Sequence, residues 1–199
     1  PALAGSAGED QVTVLKGLFP GYTAIFGAAV DVPDEAGGRR QFGNLILSRL
    51  PVRQVFRHTL PWPAESGTPS MPRIAVEAVV QADIGSVRVI TTHLEYYSAQ
   101  QRMAQVERLR ELHIEACGHA RAKSSSQYRS GPFEPFERPV GAILTGDFNM
   151  QVDDAACVKL REHFEGKVPR LVAAWSHAHT GAPNQPTVAP PANADAPSP

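Results

Sequence analysis

One short segment, residues 142–149 (AILTGDFN), constrains both the fold and the chemistry of this chain. An apolar run ends abruptly in a glycine, a carboxylate and a carboxamide. This pattern indicates a buried strand that delivers polar side chains at its carboxyl end, where sheet proteins commonly bind ligands. Gly146 permits a positive φ or a close approach of two backbones. If the strand continues through Asn149, its period of two places Asp147 and Asn149 on one face, where they can hold a water, a metal ion or a phosphate oxygen.

Two upstream segments repeat this pattern. Residues 87–94 (VRVITTHL) run from β-branched side chains into His93, and residues 42–51 (FGNLILSRLP) form a further predicted core strand that opens with Gly43 and Asn44. Because each strand ends in or begins with polar residues, we expect the strands before His93 and Asp147 to converge on one site.

The rest of the chain is predicted to alternate strands, helices and loops. Helices are expected at 11–18, 98–119 and 153–164, and strands at 22–30, 52–60, 73–82 and 86–92. The 73–82 strand is apolar on both faces, which is typical of a strand inside a layered sandwich. The 98–119 helix carries an apolar stripe with Arg102 off it, and Ser98 is its predicted N-cap. One domain is expected over 1–188, followed by a Pro/Ala-rich tail at 189–199.

The motifs GNLILSRLP, TTHL and LTGDFN, in this order, resemble those of the endonuclease/exonuclease/phosphatase superfamily, whose members include deoxyribonuclease I. The resemblance covers roughly residues 12–188, and GDFN is its most specific element. It implies an α/β (α+β) fold, a four-layered sandwich of two mostly antiparallel sheets flanked by helices. It also implies a hydrolase that cleaves phosphoester bonds, usually with a divalent cation.

The resemblance implies particular site residues. Asp147, Asn149 and His93 would be catalytic, Asn44 would contact the substrate, and Asp147 and Asn149 would bind Mg²⁺ or Mn²⁺. Each residue also has a structural interpretation. Asp147 and Asn149 suit a turn, His93 suits a hydrogen-bonded structural histidine, and Asn44 suits the entry to a strand.

The implied mechanism is direct attack of water on phosphorus. Asp147 would orient the water or take its proton, and Asn149 would hold Asp147 or a phosphoryl oxygen. His93 would hydrogen-bond another phosphoryl oxygen, and the cation would stabilise the developing negative charge.

Two motifs of the superfamily are not found in this sequence. A Gln-Glu motif, whose Glu is the main metal ligand, is expected before residue 11, and a Ser-Asp-His motif is expected after residue 187. The sequence therefore predicts a copy that is incomplete at both ends. We expect the 199-residue chain by itself to hydrolyse phosphodiesters poorly or not at all.

The charge of the chain bears on its substrate. Nineteen basic and twenty acidic side chains give a net charge of −1, whereas proteins that grip long nucleic acids usually present a basic surface. The balance argues against a duplex nuclease and leaves nucleic acid, a lipid head group or a small phosphodiester as candidate substrates. No apolar run approaches a membrane span, so none is predicted, and a monomer is expected.

A second class of function is compatible with the same motifs. A truncated family member that no longer catalyses would act as a binding or interaction module. The sequence alone leaves both hypotheses open.

Overall fold

The structure is a computed structural model that describes residues 9–35, 37–122, 131, 134 and 136–181. The predicted tail at 189–199 lies outside the described residues. The elements, in chain order, are α1 (Gln11–Leu18), β1 (Thr23–Pro33), β2 (Arg39–Ser48), β3 (Val52–Thr59), β4 (Ile74–Ala82), β5 (Gly85–His93), α2 (Ala99–Arg121), β6 (Ala142–Asp147), α3 (Ala155–Arg161) and α4 (Ala174–Ala178).

The strands form two sheets that pack face to face. β1 and β2 make an antiparallel pair, and the second sheet has the order β3-β4-β5-β6. Among the strands of the described residues only β5 and β6 run parallel, and α2 lies between them in the chain. Helices α2 and α3 cover the larger sheet, and α1 contacts β1. The predicted two-sheet α/β sandwich is therefore confirmed.

Two apolar clusters hold the layers together. One lies between the sheets and contains Ile25, Ile46, Ile74, Val76, Ala78 and Val80. The other lies between the larger sheet and the helices and contains Leu60, Ala75, Ile90, Leu94, Val106, Leu109, Ala156 and Leu160. Strand β4 contributes to both clusters, which confirms its predicted burial on both faces.

The long helix α2 is confirmed, and the Ser98 hydroxyl caps it by accepting from the Gln101 amide at 2.9 Å. Arg102, predicted to lie off the apolar stripe, belongs to neither apolar cluster but is buried, and its guanidinium donates to two backbone carbonyls and to Asp154. Helix α3 is also shorter than the predicted 153–164 helix. None of the helices in the described ranges is long and apolar enough to cross a membrane.

Strand β6 is less buried than its apolar sequence predicted. Among the described residues it forms an edge of the larger sheet, and its side chains alternate between half-buried and exposed positions up to Thr145. Leu144 packs on the helical core, but Ile143 on the opposite face is 55% exposed. Only one face of this strand is covered by the described part of the chain.

A buried carboxylate lies in the middle of the larger sheet. Glu77 on β4 accepts hydrogen bonds from His58 Nε2 at 3.1 Å and from the Nε and Nη2 atoms of Arg138 at 3.3 Å. Arg88 Nη1 lies 3.8 Å from Glu77 Oε1. Burial raises the pKa of Glu77, but these hydrogen bonds and positive charges outweigh it and hold the pKa below its usual value.

We predict that Glu77→Ala destabilises the fold by about 3–5 kcal/mol, because it leaves the buried guanidinium of Arg88 without a nearby carboxylate and removes the buried one of the two carboxylates that bind Arg138. Glu115→Ala is the matched control, since Glu115 also binds Arg138, at 2.7 Å, but is half exposed. The control should cost less than about 1 kcal/mol. Urea unfolding of both variants measures the difference, and equal losses would contradict a central role for Glu77.

His113 on α2 extends this cluster as a neutral imidazole. Its Nε2 faces the Pro169 carbonyl at 3.0 Å and therefore donates, which leaves Nδ1 to accept from Arg88 Nη2 at 2.8 Å. Burial lowers the pKa of His113, and the charge of Arg88 lowers it further. Protonation of Nδ1 would remove the acceptor and place a second positive charge beside Arg88.

We predict that His113 makes the fold less stable in mild acid. A folded pKa below the unfolded value of 6.5 gives stability that is present above pH 6.5 and is lost as the pH falls through the folded pKa. Urea unfolding at pH 7.5 and pH 5.5 should show a smaller loss of stability on acidification in His113→Gln than in the wild type. His119→Gln, at an exposed position of the same helix, should keep the wild-type loss.

Candidate active site

His93 and Asp147 occupy the carboxyl ends of neighbouring parallel strands. They are paired residues in the register of β5 and β6, and His93 Nε2 lies 3.8 Å from Asp147 Oδ2. This separation is longer than a direct hydrogen bond. The predicted proximity of the two side chains is confirmed. Both are accessible, with 34% of the His93 side chain and 63% of the Asp147 side chain exposed, so a ligand can reach them.

Gly146 allows the two strands to come together at this end. Its φ is +136°, a conformation that L side chains rarely adopt. A Cβ atom at this position would overlap the carbonyl oxygen of Thr92, its partner on β5. Any other residue would therefore push Asp147 away from His93.

Asn149 braces the site through its backbone and its side chain. Its amide donates to Asp147 Oδ1 at 3.0 Å, and its Nδ2 donates to the Leu94 carbonyl at 2.9 Å. The expectation that Asn149 shares a strand face with Asp147 was wrong, because β6 ends at Asp147 and Asn149 has a φ of +49°. The turn instead directs the carboxamide towards β5 and leaves its oxygen as the atom able to bind a ligand.

His93 is held in a setting that favours the neutral imidazole. Its pKa is lowered mainly by burial and also by the positive charge of Arg73, whereas Asp147 and Glu95 oppose the shift. The Phe42 ring of β2 lies 6.0 Å from the imidazole, centroid to centroid, and closes one side of it. A neutral imidazole at pH 7 can donate one hydrogen bond and accept another.

Asn44 lies in the other sheet. It is half-buried on β2, two residues after Phe42, so the two side chains share one face of that strand. Phe42 connects this face to His93, but among the described residues Asn44 makes no hydrogen bond to His93 or Asp147. Its role in substrate binding stays a prediction.

The oxygen atoms at the end of β6 suit a hard divalent cation in chemical type. Asp147 Oδ2 and the Asn149 carboxamide oxygen are ligands that Mg²⁺ and Mn²⁺ prefer. The described residues contain no group of three or more His, Cys, Asp or Glu side chains arranged to hold a metal ion. Asp147 and Asn149 could thus supply only part of a coordination sphere, and metal binding at this position stays a prediction.

Sequence reasoning missed the ion pair that supports the end of β5. Arg73 and Glu95 are both buried, and Arg73 Nε donates to Glu95 Oε2 at 3.2 Å. Arg73 Nη1 has no hydrogen-bond partner among the described residues. The available signal was the glutamate directly after the apolar Leu94, since a charge in such a position needs a partner.

Comparison with solved structures identifies the fold. An endonuclease/exonuclease/phosphatase family protein from Bacteroides thetaiotaomicron superposes with a TM-score of 0.52 and 19% identity, over 75% of this chain and 48% of that one. The mannosyl-6-phosphatase of Bacteroides thetaiotaomicron VPI-5482 superposes with a TM-score of 0.51 and 20% identity, over 75% of this chain and 51% of that one. No family model and no curated protein matches the sequence.

The fold is that of the endonuclease/exonuclease/phosphatase family. The resemblance inferred from the three motifs is thus confirmed at the level of fold. The chain spans about half the length of the solved structures that it matches. At this level of identity the likeness establishes architecture and leaves the activity of the whole protein as a proposal.

We predict that Gly146→Ala costs at least about 1–3 kcal/mol of stability through backbone strain alone and separates β5 from β6 at the site. Gly141→Ala is the matched control just before β6, where a Cβ would meet only Val87 at 4.0 Å. Urea unfolding reports the stability, and the NMR signals of the His93 ring report the site. Equal behaviour of the two variants would contradict the close approach at Gly146.

Proposed function

We propose that this chain carries catalytic residues of a metal-dependent hydrolase that cleaves phosphoester bonds, in particular phosphodiesters, by direct attack of water. One observation supports the proposal most strongly. An accessible carboxylate and an imidazole whose pKa is lowered lie 3.8 Å apart where two parallel strands end. Such strand ends are common positions for active sites in α/β proteins, and perturbed titratable groups concentrate there.

Each residue has a role in the proposed reaction that follows from its contacts. Asp147 orients the attacking water or accepts its proton, and Asn149 fixes Asp147 through the hydrogen bond that its backbone amide donates to Oδ1. His93 in its neutral form donates to a phosphoryl oxygen. Asn44 contacts the part of the substrate that extends towards β2.

Mg²⁺ or Mn²⁺ is the cofactor of this proposal. Asp147 and Asn149 would hold the ion through the oxygens described above, and when bound it would stabilise negative charge on the phosphoryl group. The substrate is a phosphoester of a nucleic acid, a lipid head group or a small molecule. The net charge of −1 favours a substrate that needs few phosphate contacts.

We predict that Asp147→Ala in the full-length protein lowers turnover of bis-(p-nitrophenyl) phosphate by at least about 100-fold, the size of effect expected for a positioned proton acceptor. The side chain is 63% exposed, so the fold should survive the change. Asp153→Ala is the control, because Asp153 is an exposed carboxylate close by in the chain. Near-normal turnover of Asp147→Ala in Mg²⁺ or Mn²⁺ would remove Asp147 from the mechanism.

A second measurement separates catalysis from binding. Mn²⁺ should broaden the NMR signals of the His93 ring and the Asn149 side chain in the wild type but not in Asp147→Ala. Broadening without any turnover of several phosphoesters would favour the non-catalytic binding module. Broadening that persists in Asp147→Ala would contradict the proposed ion site.

A further inference from the structure

Two tyrosines stand exposed on the turn that follows β5. Tyr96 is 53% exposed and Tyr97 is 51% exposed. Their ring centroids are 4.9 Å apart with an interplanar angle of 90°, so one ring presents its edge to the other. Together they form a small aromatic corner in contact with solvent. Exposed apolar residues are ordinary on protein surfaces, so the case for a binding surface here rests on the position of this pair in the chain directly after the candidate active site.

The turn below these rings is fixed by a buried carboxylate. Glu95 Oε1 accepts from the amides of Tyr96 at 2.9 Å and Tyr97 at 3.1 Å, while Arg73 holds Oε2. Burial alone would raise the pKa of Glu95, but these donors and the charge of Arg73 outweigh it and lower the pKa. Glu95 is therefore ionised and serves as an acceptor for the turn.

Helix α2 fixes the same turn from its other side. Arg102 Nη1 donates to the carbonyls of Glu95 and Tyr96, both at 3.0 Å, and Gln105 Oε1 accepts from the Glu95 amide at 2.9 Å. Burying charged groups is costly, and hydrophobic replacements often stabilise a fold at least as well. The buried polar groups here achieve something else, because they hold a surface turn in one conformation.

The turn that carries the aromatic corner follows the candidate active site directly in the chain. The backbone amide of Leu94 donates a hydrogen bond to the Asp147 carbonyl at 2.9 Å, and the Leu94 carbonyl accepts one from the Asn149 side chain. Tyr96 follows Leu94 by two residues, so its backbone lies within about 7 Å of this contact. A ligand whose phosphate reaches His93 and Asp147 can therefore place the neighbouring part of its structure against the rings.

We propose that Tyr96 and Tyr97 form a stacking subsite for the base of a nucleoside phosphoester whose phosphate lies at His93 and Asp147. The inference rests on the proposed function for the position of the phosphate. A flat base stacks on one tyrosine face and meets the other ring edge-on, two arrangements that aromatic rings favour. Stacking of a base on an aromatic side chain is worth about 1–3 kcal/mol.

The turn suits a base better than a sugar or a polar head group. The amides of Tyr96 and Tyr97 and the carbonyl of Tyr96 are already bonded to Glu95 and Arg102. With these backbone groups occupied, the turn offers a ligand chiefly the faces and edges of the two rings, which suits a flat base. Because the chain has a net charge of −1, a mononucleotide or a short oligonucleotide fits better than a long nucleic acid.

The test compares two ligands that differ only in the base. Adenosine 5′-monophosphate and ribose 5-phosphate are titrated into the full-length protein by isothermal calorimetry in Mg²⁺ buffer. We expect the nucleotide to bind roughly 5- to 150-fold more tightly, as the stacking energy implies. Tyr96→Ala combined with Tyr97→Ala should bring the ratio close to one, whereas the double Phe variant should keep it. No preference in the wild type, or an unchanged ratio in the double Ala variant, would overturn the subsite.

Tyr22 provides a matched control. It is also exposed and forms an edge-on pair with Phe19, at 5.5 Å. Tyr22 lies just before β1, and roughly 25 Å of that strand separates it from Val30, which pairs with Phe42 near His93. Tyr22→Ala should leave the ratio unchanged, and a ratio that falls as far as in the double Ala variant would overturn the assignment to Tyr96 and Tyr97.

NMR signals of the tyrosine and histidine rings separate this inference from the proposed function. Adenosine, which has no phosphate, should shift the Tyr96 and Tyr97 signals even if the phosphate site fails. Shifts at His93 without shifts at the tyrosines would overturn the subsite and leave the proposed function standing. Shifts at the tyrosines with no phosphate-dependent shift at His93 would support base binding and contradict the phosphate site.

Discussion

The arrangement of the candidate site depends on the buried charge of Glu77. This carboxylate binds Arg138 directly and lies beside Arg88, whose Nε and Nη2 donate to the carbonyls of Pro139 at 2.7 Å and Val140 at 3.3 Å. The segment that enters β6 is thereby attached to β5 just before their pairing begins at Arg88 and Ala142. The register set here brings Asp147 opposite His93 five residues later. Charges in the core thus position the polar groups at its edge.

The opposite end of the same strand pair is closed by backbone contacts. Leu94 and Asp147 are joined by an amide-to-carbonyl bond, and Asn149 returns to the Leu94 carbonyl across the turn. Gly146 supplies the backbone conformation that lets β6 reach this point without a side chain against Thr92. His93 and Asp147 are therefore held at both ends of their strands, which limits changes in their separation when solvent or a ligand occupies the space between them.

Local patterns in the sequence predicted the strands, the helix α2 with its Ser98 cap, and the convergence of His93 and Asp147. They did so because alternation, apolar stripes and capping residues act over a few positions. The ion pair of Arg73 with Glu95 and the contacts of Arg138 with Glu77 join residues 22 and 61 positions apart, so no local pattern reveals them. Asn149 was misplaced for a different reason. The period of two holds only while a strand continues, and a positive φ ends it.

The two buried carboxylates make different contributions to one surface. Glu77 accepts hydrogen bonds from side chains of the core and so affects how the strands pair. Glu95 instead accepts two of its hydrogen bonds from the backbone of an exposed turn. The carboxylate of Glu95 contributes less to the stability of the fold than an apolar residue of similar size would. Its effect is to order Tyr96 and Tyr97 before any ligand arrives, which removes part of the entropic cost of binding. The polar groups beneath the site therefore act on its geometry as well as on stability.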